Sequence, residues 1–512
     1  MMAPVRRACF VCKQSPRFLA SFVAALCFGL LAAACGGGPT SGAGSQETKD
    51  GLKVAVTLEP TDWNYLRNPA LTIRQLLMFN VLEPLLDKRV DGTLTPLLAE
   101  SYTVSKDGLV YTFHIRKATF SNGAPVTADD VVYSLEQSRT TQLQDVSGRL
   151  KAVKEISKTG DQTVTVTLST PSQRFLDAMS TDSGAVIPKG SASRLKTGPI
   201  GTGPFVFASW KHGAQVDFER NDHYWGQRPA LRTITWRFIG DATTAVNALR
   251  AGDIDMIGGF WGSKAQTDSV VGKASGFAKN VIAGPTMVYI SLNANDPVFA
   301  DARVRRAIAF SLDRQAFIDG TNSSGSPTCV FVNPPNEPWK SDKCPYPHDP
   351  AKAKQLLTEA GRQGLTLNYT YLAGTEDGVA VVSQGLEQAG FKVKTQALQW
   401  PVYLDRVLTK GQYQFTHIAG PQQIDTWKCP GWFTHDCYPA MDALLARADR
   451  ATNRTEWADL RRQSVELDAE RAYLIPAWTT NVVDLYRKGL EGLKTYTVAG
   501  EADVRNVRWG TS

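Results

Sequence analysis

The sequence predicts an α/β protein with more than one lobe. Residues 365–398 form a predicted strand, helix and strand (LTLNYTYL, VAVVSQGLEQAG, FKVKTQAL), and such a βαβ unit implies part of a parallel sheet covered by helices. Other segments alternate in the same way between strand and helix patterns. Of the 512 residues, roughly 460 follow the N-terminal segment, which is too many for one hydrophobic core and suits two or three lobes.

The first 34 residues have the pattern of a secretory signal. A basic segment without acidic residues is followed by an apolar run, residues 18–34, that ends in three alanines. This run is shorter than the roughly 20 residues that a helix needs to cross a bilayer. We therefore predict a signal peptide over residues 1–34 rather than a membrane-spanning anchor.

Cys35 directly follows the small residues of this signal. The arrangement resembles the lipobox of bacterial lipoproteins, with Ala32 at the position where lipoboxes usually carry leucine. The resemblance implies that Cys35 is lipidated and becomes the mature N-terminus; the alternative is an ordinary cleaved signal with an incidental cysteine. Residues 35–51 are rich in glycine and serine and predict a flexible tether. We expect an extracytoplasmic protein that lipid on Cys35 anchors to the cell membrane.

The charge balance excludes some classes of partner. The formal net charge is +7, and part of it leaves with the basic signal. Such a mild balance favours neither nucleic-acid binding nor a basic membrane-binding surface. We expect a monomer that meets the membrane through its lipid alone.

The four cysteines after Cys35 form two local pairs, Cys329 with Cys344 and Cys429 with Cys437. In an oxidising compartment, such pairs predict disulfides. The alternative is a metal site, because His435 lies between the last two cysteines, but the spacing matches no common zinc pattern. The sequence predicts two disulfides, no metal and no cofactor.

Two strands are predicted from period-two alternation. In YTFHIR (111–116) and QTVTVTLS (162–169), apolar and polar residues alternate, which is typical of strands with one buried face.

Two helices are predicted from their start signals. The first covers 127–137, with Thr127 as N-cap and Asp130 in a capping box. The second covers 349–361, with Asp349 as cap, followed by proline at the first helical position and ended by glycine.

A series of motifs in a fixed order resembles one known family. The chain is similar to extracytoplasmic solute-binding proteins of the oligopeptide/dipeptide class (family 5), which deliver ligands to ABC importers. The similarity covers residues 52–512. The motifs are AESYTVSKDGLVYTFHIRKATFSNGAPVTADDVVYSLE (99–136), GTGPF (201–205), NDHYWG (221–226), ALRAGDIDM (248–256), YISLNANDPVFADARVRRAIAFSLDR (289–314) and DPAKAKQLLTEAG (349–361).

The resemblance implies a two-lobed periplasmic-binding-protein-like fold with a cleft and a hinge, and with a subdomain inserted into the first lobe. A small solute, in the first place a short peptide, would be captured between the lobes without chemical change and delivered to the permease subunits of an ABC importer. The implied domains are domain I (52–88, 198–286 and 478–512), domain II, the insertion (89–197), and domain III (287–477).

The resemblance also implies where a peptide amine would be held. Peptide-binding members use an aspartate shortly after a Gly-Trp pair in domain III, and the corresponding stretch here is QFTHIAGPQQIDTWKC (414–429). Gly420 fits this pattern, whereas Pro421 replaces the tryptophan and Ile424 stands at the expected acid position. Asp425, one residue later, is the candidate amine anchor.

Other candidate ligand-binding residues surround this stretch. Gln422 and Gln423 would suit an uncharged hydroxylated ligand, and aromatic rings near the predicted cleft would stack on sugars or apolar side chains. Core packing is the alternative role of each aromatic ring. The remaining candidates are His417, Ile418 and Ala419 in the same stretch, and Trp261, Trp400, Tyr403 and Trp427.

The sequence leaves three alternatives to peptide import. The same machinery could carry a non-peptide ligand such as an oligosaccharide, an opine-like conjugate or a metal chelate, or the protein could be a surface receptor for a peptide signal. Catalysis would need a carboxylate pair such as Asp253 and Asp255. We expect these two instead to be solvated residues of a turn, and we predict no enzyme.

Overall fold

Strands and helices alternate along the chain, as the sequence predicts for an α/β protein. The structure, a computed structural model, describes residues 49–89, 92–260, 263–272, 275–321, 323–331, 338–421, 427–429, 431, 434–493 and 503–510. The strands are β1 (Gly51–Val56), β2 (Leu86–Lys88), β3 (Leu94–Pro96), β4 (Ala99–Val104), β5 (Val110–Ile115), β6 (Val153–Gly160), β7 (Thr163–Leu168), β8 (Phe205–Lys211), β9 (Gln215–Arg220), β10 (Thr233–Phe238), β11 (Met256–Phe260), β12 (Phe277–Leu292), β13 (Gly325–Pro327), β14 (Thr366–Leu372), β15 (Lys392–Leu398), β16 (Phe415–Pro421), β17 (Leu474–Arg487), β18 (Leu490–Glu491) and β19 (Arg508–Trp509).

Helices connect most of these strands. The α-helices are α1 (Leu71–Leu77), α2 (Ala128–Thr140), α3 (Gln144–Ser147), α4 (Gln173–Ala178), α5 (Ala242–Ala251), α6 (Lys264–Val270), α7 (Ala302–Ser311), α8 (Arg314–Gly320), α9 (Pro350–Glu359), α10 (Glu376–Gln388), α11 (Trp400–Tyr403), α12 (Pro439–Arg450) and α13 (Arg454–Arg471). A π-helical turn, Leu404–Thr409, follows α11. Within the described ranges, no helix combines the length and the apolar character that a bilayer crossing needs.

One large mixed sheet runs through most of the described chain. Its strand order is β15-β14-β16-β12-β17-β11-β1-β10-β9-β8, and β13 pairs with β17 beside this path. The two longest strands, β12 with 16 residues and β17 with 14, run antiparallel through the middle. They connect a half that contains β1 and β8–β11 with a half that contains β14–β16.

The pairing of β12 changes along its length. Its first half, residues 277–283, pairs with the end of β17, which also pairs with β11. Its second half, residues 287–292, pairs with the start of β17 and with β16. The register shifts between Ala283 and Met287. The predicted boundary between domains I and III falls at this change of partners, and the domain boundaries stay a prediction.

Each half of the large sheet has its own hydrophobic core. Trp63 and Trp236, both fully buried, lie in the core of the half that contains β1. Phe299 and Tyr369, also fully buried, lie in the core of the half that contains β14. Helices α7 and α9 pack on this second half through apolar residues at helical spacing, as the sequence predicts for 349–361.

A separate four-stranded antiparallel sheet, β4-β5-β7-β6, lies within residues 99–168 and packs against α2. Both strands predicted from alternation are confirmed as β5 and β7, which pair with each other. Their side chains that face the core are Tyr111, Phe113, Ile115, Val164, Val166 and Leu168.

The predicted helix starts and the βαβ unit are confirmed. The backbone N–H of Thr127 donates to the carboxylate of Asp130 at 2.9 Å and completes the capping box of α2. Asp349 accepts from the N–H of Lys352 at 2.8 Å at the start of α9. Strands β14 and β15 are parallel neighbours connected by α10.

Glu83 is a buried carboxylate on which two sequence motifs converge. Its side-chain oxygens accept hydrogen bonds from Thr202 in GTGPF at 2.9 Å and, in NDHYWG, from the Tyr224 hydroxyl at 2.7 Å and the Trp225 indole N–H at 2.8 Å. Burial raises the pKa of Glu83, and the three donors act in the opposite direction. The two motifs therefore fix the fold at this point.

The sequence predicts that both carboxylates of AGDIDM, Asp253 and Asp255, are solvated at a turn, and this prediction is wrong for Asp255. Asp253 is exposed at a turn, as predicted, but Asp255 is buried. The Asp255 carboxylate pairs with Lys49, lies near Arg487, and accepts the backbone N–H of Lys53 at 2.9 Å. A buried carboxylate needs such partners because leaving its charge unpaired would be strongly unfavourable.

Both predicted disulfides are present. Cys329 is bonded to Cys344, and Cys429 to Cys437. The sulfurs of Cys429 and Cys437 are thus bonded to each other, which corrects the alternative of a metal site around His435.

We expect the Cys329–Cys344 bond to stabilise the second half of the sheet. It closes a loop with a sequence separation of 15, which corresponds to about 3 kcal/mol in the chain-entropy model. The double variant Cys329→Ala/Cys344→Ala should lower the free energy of unfolding in urea by about this amount. An unchanged urea midpoint, with wild-type protein shown to carry the bond, would contradict this expectation.

Candidate functional site

A cavity of about 490 Å³ lies beside β16. The strand forms one wall, and the end of β14 with the start of α10 forms another; α8 and α11 also contribute. The volume falls within the roughly 300–1,000 Å³ that small-molecule sites usually have. The structure brings six of the sequence-predicted site residues to this cavity, namely Trp400, Tyr403, His417, Ile418, Ala419 and Gly420.

Strand β16 offers a backbone edge to the cavity. On one side, β16 pairs with β12 from Phe415 to Pro421. On the other side, its pairing with β14 is confined to one position, Tyr369 with Phe415. Beyond Phe415 the two strands separate, and the cavity lies between β16 and the end of β14. This edge of β16 has no strand partner among the described residues.

Most of the cavity wall is aromatic or aliphatic. Phe317 contacts Trp478 with a ring-centroid distance of 4.2 Å and His417 at 5.9 Å. Trp400 at the rim is 52% exposed, and its ring stacks with that of Tyr403, with an angle of 19° between the planes. An exposed aromatic ring above buried ones is suited to contact with an apolar ligand group.

His417 is held neutral in the wall. Its Nδ1 shares a hydrogen bond of 2.7 Å with the hydroxyl of Tyr369, and its side chain is almost completely buried. Burial lowers the pKa of His417 to about 4, because the protonated ring would lose its hydration. At neutral pH this residue therefore brings polarity to the cavity without charge.

Tyr403 and Gly420 set the shape of the strand wall. The Tyr403 hydroxyl shares a hydrogen bond of 2.8 Å with Thr416 and lies 3.3 Å from the carbonyl oxygen of His417. Gly420 allows the close approach of Tyr289, because a Cβ atom at residue 420 would come within 2.5 Å of the Tyr289 hydroxyl. Two buried tyrosines, Tyr289 and Tyr403, thus contact β16 and fix its position.

The other predicted site residues either pack elsewhere or lie outside the described residues. Trp427 packs edge-on against Phe331 at 4.7 Å, within a different hydrophobic cluster. Trp261, Gln422, Gln423 and Asp425 lie outside the described residues, as does Cys35. Their roles stay predictions.

The sequence reasoning missed several cavity residues that come from other parts of the chain. No motif or spacing marks them as site residues, since only the convergence of β12, β14, β17, α8, α10 and the π-helical turn brings them together. They include Val288, Phe317, Leu372, Asp377, Leu408 and Trp478.

Comparison with known proteins gives independent information on the family. A model described as bacterial extracellular solute-binding proteins, family 5, middle, matches residues 93–426, more than half of the chain. The probable di/tripeptide-binding protein 5 of Pseudomonas aeruginosa is 26% identical over 456 residues, covering 78% of this chain and 84% of that protein. The oligopeptide-binding protein AppA of Bacillus subtilis is 28% identical over 414 residues, covering 73% of this chain and 75% of that protein.

The fold is shared with solved structures. HbpA2 from Haemophilus parasuis superposes with a TM-score of 0.80 at 22% identity, covering 90% of this chain and all of that one. HbpA2 and the other structural neighbours of this chain are two-lobed periplasmic binding proteins. The predicted two-lobed α/β fold is therefore confirmed.

Proposed function

Because the chain belongs to the bacterial extracellular solute-binding proteins of family 5, we propose that it captures short peptides outside the cytoplasm and delivers them to an ABC permease. Relatives named for di/tripeptide and oligopeptide binding support peptides as the cargo. On this proposal the protein is a monomer without a cofactor. It binds and releases its cargo unchanged and is not an enzyme.

The observation that carries this proposal is the unpaired edge of β16 beside the cavity. An extended peptide can add to such an edge as a further strand, so that its backbone provides affinity while its side chains enter neighbouring pockets. The exposed ring of Trp400 and the neutral side chain of His417 suit an adjacent side chain and peptide group. Asp425, four residues after β16, is proposed to meet the peptide amine.

Closure on the peptide is proposed to occur about β12 and β17, with domains I, II and III as given by the sequence. A ligand that contacts both lobes would shift the population toward the closed form. We also propose that lipid on Cys35 anchors the mature protein to the membrane and that residues 35–51 act as the tether. Trp261, Gln422, Gln423 and Trp427 are proposed to contact the bound peptide as well.

A thermal-shift screen tests peptide binding directly. A library of di- to pentapeptides should contain members that raise the melting temperature, since a ligand at 100 times its dissociation constant adds about 2.7 kcal/mol of stability. Absence of any shift across the library would contradict the proposed cargo.

Replacing Trp400 by alanine should weaken peptide binding about tenfold while leaving stability nearly unchanged. The ring is half exposed, so its removal leaves no buried cavity, but it takes away an aromatic surface for the ligand. Isothermal titration with a peptide found in the screen measures this effect. Leu404→Ala is the matched control, because Leu404 is also exposed nearby and does not line the cavity. Equal affinities of the two variants would argue against the cavity as the binding site.

A further inference from the structure

The described wall of the cavity beside β16 carries a negative charge and no positive charge. Asp377, in the first turn of α10, is the one charged side chain among its described lining residues. Asp377 is exposed, and the described residues supply it with no ion-pair partner. No lysine or arginine therefore lies among the described residues that line the cavity.

The remaining polar side chains of the cavity do not change this balance. Thr321, Ser323 and Thr375 are uncharged, and His417 is neutral at physiological pH. An acidic ligand group in the cavity would have no positive partner in the described wall and would lie near the carboxylate of Asp377. Like charges at short distance repel each other.

The apolar wall suits the stem of a long basic side chain. Lysine and arginine lay their methylene groups along apolar surfaces and keep the charged head at a polar boundary. Aromatic faces such as those of Trp400 and Tyr403 also attract cations. The cavity offers both features, with an aromatic wall and the carboxylate of Asp377 in the first turn of α10.

Resting on the proposed function, we propose that this cavity receives a lysine or arginine side chain of the bound peptide, and that Asp377 is the residue that selects it. The methylene stem would lie against the aromatic wall, and the ammonium or guanidinium group would pair with the Asp377 carboxylate. Acidic side chains would be rejected at the same position.

A set of alanine tripeptides tests this assignment. Each peptide carries lysine, norleucine or glutamate at one of its three positions, and its affinity is measured by isothermal titration. Norleucine keeps the apolar stem of lysine without the charge. At one position we expect lysine to bind about tenfold tighter than norleucine, and glutamate to bind more weakly than both.

The variant Asp377→Asn should strongly reduce the preference for lysine over norleucine and leave the affinity for norleucine unchanged. Glu376→Gln is the matched control, because Glu376 precedes Asp377 in the same helical turn but does not line the cavity. This control should retain the wild-type preference. Circular dichroism of both variants establishes that they are folded.

Three results would overturn the assignment. Equal affinities for lysine and norleucine at every position would do so, as would an equal loss for both peptides in Asp377→Asn. If instead the Asp377→Asn loss disappears when the peptides are N-acetylated, Asp377 meets the peptide amine and not a side chain. If none of the tripeptides or library peptides binds, the proposed cargo itself fails, which distinguishes the two conclusions.

Discussion

Replacement of Glu83 by alanine should lower the free energy of unfolding by about 4 kcal/mol. Glu83 is completely buried and accepts hydrogen bonds from Thr202, Tyr224 and Trp225. Each buried donor left without an acceptor costs about 1–3 kcal/mol. Thr202 is fully buried, whereas Tyr224 and Trp225 are only half-buried, so we place the total in the lower part of the summed range.

Urea denaturation followed by tryptophan fluorescence measures this loss. Glu83→Gln should lose less, because the amide keeps one acceptor oxygen in the same place. Glu100→Ala, at an exposed glutamate of β4, is the control and should change stability by no more than about 0.5 kcal/mol. A similar small change for Glu83→Ala would show that the convergence of GTGPF and NDHYWG on this carboxylate is not important for stability.

His417 should make the free energy of unfolding fall as the pH is lowered. Its pKa is about 4 in the folded protein, against 6.5 for the ordinary side chain. Between these values the unfolded chain binds a proton that the folded chain does not accept. Acidification from pH 6.5 to pH 4 therefore removes about 3 kcal/mol of stability through this residue, since one pKa unit corresponds to about 1.4 kcal/mol.

Asp484 on β17 changes the free energy of unfolding with pH in the opposite direction, over almost the same pH range. Burial raises its pKa from 3.8 to about 6, although the N–H of Gly259 and the side chain of Asn280 donate to its carboxylate. Its contribution is present below pH 3.8 and is lost as the pH rises through 6. In the wild type the two residues largely compensate, so that neither is visible in the pH profile alone.

Difference measurements separate the two residues. The stability of His417→Gln relative to the wild type should rise by about 3 kcal/mol as the pH falls from 6.5 to 4, because the variant lacks the buried ring. Asp484→Asn should gain a similar amount relative to the wild type as the pH rises from 4 to 6. His114→Gln, at an exposed histidine on β5, is the control for the loss of a histidine as such. Parallel profiles for all four proteins would contradict both assignments.

Local patterns in the sequence determined the elements of this protein. The alternation in β5 and β7, the capping box at Thr127 and the Asp349 cap of α9 depend on neighbours within a few residues. Such short-range geometry is set by backbone periodicity and by hydrogen bonds at helix ends. The cysteine pairs were also predictable, since their partners lie 15 and 8 residues apart.

The tertiary structure alone decided which residues share a site. Asp255 matched a solvated turn in sequence, yet Lys49 and Arg487, more than 200 residues away from it, lie beside its buried carboxylate. Trp400 and Trp427 are both candidates in the sequence, with Trp400 the stronger one, but the structure decides that Trp400 lines the cavity and Trp427 packs on Phe331. Asp377 carried no sequence signal at all. Side chains from distant segments meet only when the sheet assembles β12, β14, β16 and β17 side by side, and no local pattern encodes that long-range packing.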